Sequence, residues 1–99
     1  MTRFHVHRIG NDGSLALDIQ SNLLDALTTR VVVPLAPVRE IAALVPRLNP
    51  RVAVDGETFA LLTQFMTTVP VSAVGPSIAD LSNRSDEITA ATDFLFSGY

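Results

Sequence analysis

The sequence predicts a mainly β domain that ends in one α-helix, either an antiparallel sheet or a small barrel with the helix packed on it. Three observations indicate this fold class. Short apolar segments with strand character recur along most of the chain, glycine-containing turns separate them, and the best helical spacing lies in the C-terminal stretch. With 99 residues, of which 47% are apolar, the chain is expected to form a single domain over residues 1–99.

The first twenty residues predict an antiparallel hairpin. The segments "RFHVHRI" (3–9) and "LALDI" (15–19) both alternate apolar and polar residues, as a half-buried strand does. Between them, "GNDGS" (10–14) supplies residues that accept a positive φ angle. We therefore expect two paired strands joined by a tight turn.

The segment that follows this hairpin is more varied. "QSNLLDALTT" (20–29) is compatible with either a short helical turn or a loop. "RVVVPL" (30–35) is β-branched and predicts a strand, in which Pro34 marks the end or an edge position. Residues 36–50 are ambiguous, with weak helical spacing from Pro37 to Val45.

A second hairpin is predicted further along the chain. "RVAV" (51–54) and "ETFALLTQF" (57–65) flank Asp55-Gly56, a strong turn signal. "TTVPVSAV" (67–74) predicts short, interrupted β structure, and "GPS" (75–77) predicts a turn. Strands thus precede the single helix.

The C-terminal stretch is the best helix in the chain. Ser82 or Asn83 is expected to cap its N-terminus, with Asp86 and Glu87 in the first turn beside the positive end of the helix dipole. Gly98 is a natural terminator. The spacing predicts a core-facing stripe of Ile88, Ala91, Thr92 and Leu95.

Composition argues against several classes of function. The net charge is −3, and all seven basic residues are arginines scattered along the chain, whereas phosphate binding needs a clustered positive surface. The chain has no cysteine, which excludes disulfides and thiolate chemistry and fits a cytoplasmic location. Its longest apolar run, Val31 to Val38, is too short to span a bilayer, so no membrane partner is expected.

Few residues form a pattern with chemical meaning. His5 and His7 share a strand face at a spacing that suits a metal, but no third ligand is evident, and a polar outer face is the simpler interpretation. Asp18 and Asp25 are compatible with a carboxylate pair, or with a strand end and a turn cap. No nucleophile elbow or phosphate-binding glycine loop occurs. We predict no catalytic residue, metal or cofactor.

Two apolar groups exceed what a small core needs. They are the adjacent Leu23 and Leu24, and the terminal aromatics Phe94, Phe96 and Tyr99. They can complete the core, or they can form an exposed patch that binds a partner. The residues alone leave both interpretations open.

The order of several motifs resembles the CcdB family of toxins. "LDIQSNLLD" (17–25) is similar to the family's D-V-Q-S-x-hydrophobic-hydrophobic-D segment, and "RVVVPL" (30–35) to its R-x-V-I-P-L strand. "MTTVPVS" (66–72), "ADLS" (79–82) and a helix that ends in Phe-x-Gly-x follow in the family's order. The resemblance extends over nearly the whole chain.

The resemblance implies a fold and a mechanism. The fold is a small SH3-like antiparallel barrel with a minor second sheet and the C-terminal helix. The resemblance also implies a bacterial, cytoplasmic homodimer that is expected to bind the DNA gyrase A subunit and trap the cleaved-DNA complex, without catalysis. A cognate antitoxin neutralises it through a disordered C-terminal segment that folds on binding. Direct contact with nucleic acid is not expected, because operator binding occurs through the antitoxin.

The resemblance also implies the gyrase-binding residues, in two segments. The family's terminal Trp-Gly-Ile is replaced here by Ser97-Gly98-Tyr99, which favours a second reading, an attenuated homologue that dimerises and binds antitoxin without poisoning gyrase. A third interpretation is an endoribonuclease toxin on the same barrel. Arg3, Arg8 and the two histidines are the residues that could supply its general base and cationic groups. The implied gyrase-binding residues are Leu23, Leu24, Asp93, Phe96, Ser97, Gly98 and Tyr99.

Overall fold

The computed structural model describes residues 2–98, in which seven strands precede a single α-helix. The predicted fold class, mainly β with a C-terminal helix, is confirmed. Short 3₁₀ turns connect several of the elements. The strands and the helix are β1 (His5–Ile9), β2 (Ser14–Asp18), β3 (Thr29–Pro37), β4 (Arg51–Val54), β5 (Glu57–Leu61), β6 (Thr67–Pro70), β7 (Val74–Asp80) and α1 (Ser85–Ser97).

All seven strands belong to one antiparallel sheet that curls into a half-barrel. Along the sheet the order is β4-β5-β3-β2-β1-β7. The long strand β3 joins its parts: β2 pairs along one side, while β5 and β6 pair with successive segments of the other side. The second sheet expected from the resemblance is therefore continuous with the first through β3.

Pro34 lies inside β3 rather than at its end or at a sheet edge, so this detail of the prediction is wrong. The pairing of β3 with β6 ends at Val32 and its pairing with β5 begins at Leu35. Pro34 occupies the gap, where its carbonyl oxygen accepts a hydrogen bond from the Leu62 N–H at 2.9 Å. A residue without an N–H is tolerated there because neither strand requires a donor at that point.

Both predicted hairpins are confirmed. Gly10 and Gly13 take positive φ angles of 66° and 79° between β1 and β2, and Asp55 and Gly56 take 51° and 80° between β4 and β5. The second hairpin is shorter than predicted, because β5 ends at Leu61 and a 3₁₀ turn follows. In the ambiguous segment from Pro37 to Val45, only Val38–Glu40 forms a helical turn, of the 3₁₀ type.

The predicted turn at residues 75–77 is wrong, because β7 continues through "GPS". Pro76 is tolerated since β7 is an edge strand, so the missing N–H removes no ladder bond. The pairing of β7 with β1 also has register shifts beside His7, which allow the irregular segment to remain in the sheet. A Cβ atom at Gly75 would lie 3.0 Å from the Arg8 carbonyl oxygen, so the close approach of the two strands favours glycine here.

Helix α1 begins three residues later than the predicted cap. Residues Ser82–Arg84 form a 3₁₀ turn, and α1 starts at Ser85 without a side-chain cap, so the predicted capping by Ser82 or Asn83 is wrong. The hydrogen bond at this turn comes instead from Asp80, whose carboxylate accepts from the Ser82 N–H at 2.8 Å. Asp86 and Glu87 lie in the first turn of the helix, as predicted.

The helix packs on the sheet through the first half of its predicted stripe. Ile88 and Ala91 are buried, whereas Thr92 and Leu95 are only partly buried. Gly98 ends the helix as predicted, with φ at 80° and its N–H bonded to the Phe94 carbonyl at 3.0 Å. Within residues 2–98, no helix is long and apolar enough to cross a membrane. The buried apolar cluster comprises Val6, Leu17, Val33, Leu35, Val52, Val54, Phe59, Leu61, Leu81 and Ile88.

Candidate functional site

Leu23 and Leu24 lie on the surface, in the connection between β2 and β3. We call residues 20–25 the leucine loop. Leu23 is 94% exposed and Leu24 is 48% exposed, within a 3₁₀ turn that has no buried residue. Of the two interpretations that the residues left open, the exposed patch is the one that the structure supports for this pair.

A buried arginine connects the two ends of the leucine loop. Arg30 is only 1% exposed, and its Nε and Nη2 donate to Asp18 Oδ2 at 3.1 and 2.7 Å. Its Nη1 donates to Asp25 Oδ1 at 2.7 Å, and Nη2 also reaches the Gln20 carbonyl at 3.2 Å. The end of β2 and the end of the leucine loop are thus attached to the same guanidinium group.

Strand register explains how these side chains meet. Asp18 pairs with Val32 across β2 and β3, so Arg30, two residues earlier on β3, projects from the same face of the sheet. Asp18 does end a strand, as the sequence suggested, and Asp25 follows the 3₁₀ turn. Both carboxylates accept from Arg30, so each is a partner of the guanidinium group.

Gln20 adds a second connection between the leucine loop and the sheet. Its Oε1 accepts from the Val31 N–H at 3.0 Å, and its Nε2 donates to the Leu24 carbonyl at 3.2 Å. Within the loop, Ser21 Oγ accepts from the Leu23 N–H at 3.2 Å. The backbone on both sides of the leucine pair is therefore held by hydrogen bonds that begin on β3 or within the loop.

The electrostatics of Arg30 keep the group charged. Burial alone would lower the pKa of Arg30, but the hydrogen bonds that it donates to Asp18 and Asp25 outweigh burial, and the pKa of Arg30 is raised. A buried charge of this kind is stable only because its partners remain in place. Neither Arg30 nor Gln20 was predicted as a site residue from the sequence. A sequence feature that could have predicted the ion pairs is an arginine at the start of an apolar strand, preceded by aspartates at residues 18 and 25.

The second segment of the expected site lies at the end of α1. Phe96 is 74% exposed, and Asp93, Ser97 and Gly98 are also exposed. Phe94 is partly buried, with the Arg47 guanidinium 4.4 Å from its ring centroid. Tyr99 lies outside the described residues.

The single chain does not join these two segments. Among residues 2–98, no hydrogen bond or ion pair connects the leucine loop with residues 93–98. Each segment is attached to its own part of the fold, the loop to β2 and β3 and the helix end to α1.

The two histidines differ in their surroundings. His5 is partly exposed, with Nδ1 2.8 Å from Ser77 Oγ and Nε2 3.6 Å from Asp80 Oδ2. His7 is 6% exposed, so its expected place on a polar outer face is wrong. Its Nδ1 donates to the Gly75 carbonyl at 2.8 Å, which holds the ring against β7. Within residues 2–98, no three potential ligands are grouped closely enough to hold a metal ion.

The fold and the leucine loop define a small barrel protein that presents apolar side chains on its surface. The family model described as "CcdB protein" matches residues 3–98, so the chain belongs to the CcdB family, whose members are toxins of toxin–antitoxin systems. The resemblance predicted from the motifs is thereby confirmed.

A solved structure is similar in fold. It is the Mycobacterium tuberculosis toxin MazF-mt6, with a TM-score of 0.77 and 17% sequence identity. The similarity covers 93% of this chain and 95% of that chain. At this identity the likeness concerns the fold alone.

Proposed function

We propose that this protein is a non-catalytic gyrase poison, a homodimeric toxin that binds the DNA gyrase A subunit and traps the cleaved-DNA complex. The observation that best supports this proposal is Leu23, which is 94% exposed on a loop bonded through Asp25 to the buried Arg30. A large apolar side chain in this position has little role in the fold, and its burial by a partner gains roughly 1.5–3 kcal/mol. Leu24 and Phe96 are also exposed apolar side chains that a partner could bury.

The proposed mechanism needs binding alone. A ligand that binds the cleaved state of gyrase more tightly than the resealed state shifts the population toward cleaved DNA. The free-energy difference between the two bound states sets the size of the shift. Apolar contacts from a pre-ordered loop suit this task, because less conformational entropy is lost when the complex forms.

The homodimer is part of the proposal, because a second copy would double the exposed apolar side chains that each helix end presents. We expect the helix ends of two chains to meet near the dimer axis, so that two copies of Phe96 form one apolar surface. The cognate antitoxin, with a disordered C-terminal segment, is the second expected partner and carries the operator contact. We place the protein in the cytoplasm, where both partners are found.

An attenuated homologue is the second candidate. In the described part of the helix end, Asp93 and Ser97 are exposed and offer little apolar area, which leaves Phe96 as the exposed large side chain. A tryptophan at such an interface often contributes roughly 2–4 kcal/mol, and Ser97 has no comparable surface. This candidate predicts dimerisation and antitoxin binding with a gyrase affinity weaker than about 1 mM.

An endoribonuclease has less support from the geometry. His7 is 6% exposed, so its ring is not accessible to RNA, and Arg3 has one guanidinium N–H, at Nε, bonded to the Ile19 carbonyl at 3.1 Å. A cavity of about 600 Å³ is lined by four acidic residues and one arginine, Arg8. Even with Arg39 paired to Glu57, acidic groups predominate, and they repel phosphate. Incubation of the purified protein with RNA tests this candidate directly.

The proposal is tested with purified gyrase, plasmid DNA and three forms of the protein. The wild type should increase gyrase-linked DNA breaks, and the double variant Leu23→Ala/Leu24→Ala should reduce breakage at least about tenfold, as loss of two interface leucines predicts. Sedimentation at tens of micromolar should show a dimer for both forms. Stability should change by less than about 1 kcal/mol, because Leu23 is almost fully exposed and Leu24 is 48% exposed.

Leu27→Ala is the matched control. Leu27 is 49% exposed, almost the same as Leu24, but lies outside the proposed contact set. Its truncation should leave DNA breakage unchanged. Intact DNA with the wild type, together with measurable antitoxin binding, would favour the attenuated homologue, and a monomer in sedimentation would contradict the proposed surface.

A further inference from the structure

The leucine loop has no apolar burial of its own. Its 3₁₀ turn, Asn22–Leu24, contains no buried residue, and short 3₁₀ segments have weak hydrogen-bond geometry. A loop with these properties is expected to sample many conformations unless other groups restrain it. The restraint must come from polar contacts, of which the largest group reaches Arg30 and Val31 on β3, while the Arg3 N–H donates to Asn22 Oδ1 at 3.0 Å from the N-terminal segment.

These polar contacts divide into two parts with different exposure. The Asp18–Arg30 pair is buried on both sides and supports the fold. The Asp25 side chain is 52% exposed, and the contact that the structure gives it is the 2.7 Å bond to Arg30 Nη1. Asp25 therefore adds little to the core, but it attaches the end of the leucine loop to a fixed point.

We propose that Asp25 is a positioning residue that holds Leu23 and Leu24 in their projecting conformation before a partner arrives. The bond to Arg30 restrains the loop immediately after Leu24, while Gln20 Nε2 restrains the Leu24 carbonyl from the other side. With both restraints, the leucine side chains start from one backbone conformation. The binding role of this conformation rests on the proposed function, whereas the restraint itself is a property of the free protein.

Amide hydrogen exchange in the free protein tests the restraint. Three N–H groups in the leucine loop or next to it report on the restraint: Leu23 bonded to Ser21 Oγ, Leu24 bonded to the Ser21 carbonyl, and Leu27, just after the loop, bonded to the Leu24 carbonyl. Asp25→Ala should accelerate their exchange about fivefold, while exchange in the strands is unchanged. Asp25→Asn keeps an acceptor oxygen for Arg30 and should recover most of the protection.

Asp86→Ala is the control, since Asp86 is an exposed aspartate in the first turn of α1. It should leave exchange in the leucine loop unchanged. Unchanged loop exchange in Asp25→Ala would overturn the proposal. A uniform acceleration across the whole chain would also overturn it, because that result describes a residue that stabilises the fold.

Binding to a purified gyrase A fragment separates the two proposals. If the loop conformation is used in binding, Asp25→Ala should weaken the affinity about fivefold, and Asp25→Asn should restore most of it. Faster loop exchange with unchanged affinity would overturn the positioning role in binding. A wild type that does not bind the fragment would overturn gyrase as the partner, while hydrogen exchange would still decide whether Asp25 restrains the loop.

Discussion

The leucine loop and the end of α1 both present apolar side chains, but they are held in different ways. The loop is attached by side-chain hydrogen bonds to a buried arginine and to the backbone of β3. The helix end is held by its own backbone and by the Gly98 N–H bonded to the Phe94 carbonyl. One surface therefore depends on a tertiary network, whereas the other depends mainly on local helix geometry.

Because the two regions are held differently, substitutions in them are expected to affect the stability of the fold and the binding of partners to different extents. The polar network of the leucine loop reaches the interior of the sheet, so changes at its buried end should affect the whole fold. The helix end projects beyond the core. The buried side chains of α1 are Ile88 and Ala91, and both precede the last six residues of the helix. Changes at the tail should affect partners more than folding.

The largest effect is expected from Arg30→Met. This substitution leaves Asp18 buried without its partner, and loss of one member of a buried pair costs about 3–5 kcal/mol. Urea denaturation should show a lower free energy of unfolding by that amount. Arg8→Met, at an exposed arginine, is the control and should change stability by less than about 0.5 kcal/mol. A loss below about 1 kcal/mol for Arg30→Met would contradict a tertiary network as the support of the loop.

Removal of Ser97 to Tyr99 should produce the opposite result. Ser97 and Gly98 are exposed, and the deletion breaks the Gly98 cap, which is worth about 1 kcal/mol or less. Thermal unfolding should therefore be nearly unchanged, while toxicity on expression in a susceptible bacterium should be lost. A large fall in Tm would show that the tail belongs to the core and would remove the contrast between the two regions.

The smallest effect is expected at Asp80, which bonds the turn that leads into α1. Hydrogen bonds from Ser82 lower the pKa of Asp80, with a smaller contribution from His5. The folded pKa is lower than the unfolded pKa of about 3.9, so the ionised carboxylate stabilises the fold above that pH. This contribution is lost as the pH falls through the folded pKa.

Asp80→Asn should therefore flatten the acid limb of the stability profile below about pH 4. At neutral pH the variant should be slightly less stable than the wild type. Urea denaturation across the acid range provides the measurement. Parallel profiles for the two proteins would show that the start of α1 does not depend on this carboxylate.

Much of the fold was predictable because its signals are local. Residues 10–14 and Asp55-Gly56 specify tight turns through the φ angles that glycine and its neighbours accept, and the structure has hairpins at both. The predictions were wrong where strand pairing overrode the local preference of the residues for a turn or a strand end. Residues 75–77 have turn composition but extend along an edge strand, and Pro34 lies in a central strand at a gap between two partners.

The candidate site was predictable in part. The pattern of residues 17–25 pointed to the leucine pair through a family resemblance, but the residues alone did not decide between core and surface. Arg30 was missed because its partners lie 12 and 5 residues away in sequence, and only the register of β2 on β3 brings them together. Gln20 stands within the motif of residues 17–25, but its bond to the Val31 N–H likewise depends on the pairing of distant segments.

The sequence by itself determined the two glycine-dependent hairpins, the end of the helix at Gly98 and the absence of cysteine chemistry. Those features depend on the backbone preferences and side chains of residues that are neighbours in the chain. Only the tertiary structure decided that Arg30 is buried, that His7 is covered and that Leu23 projects into solvent. Burial and ion pairing depend on which distant segments pack together, and this information becomes available only when the strands have paired.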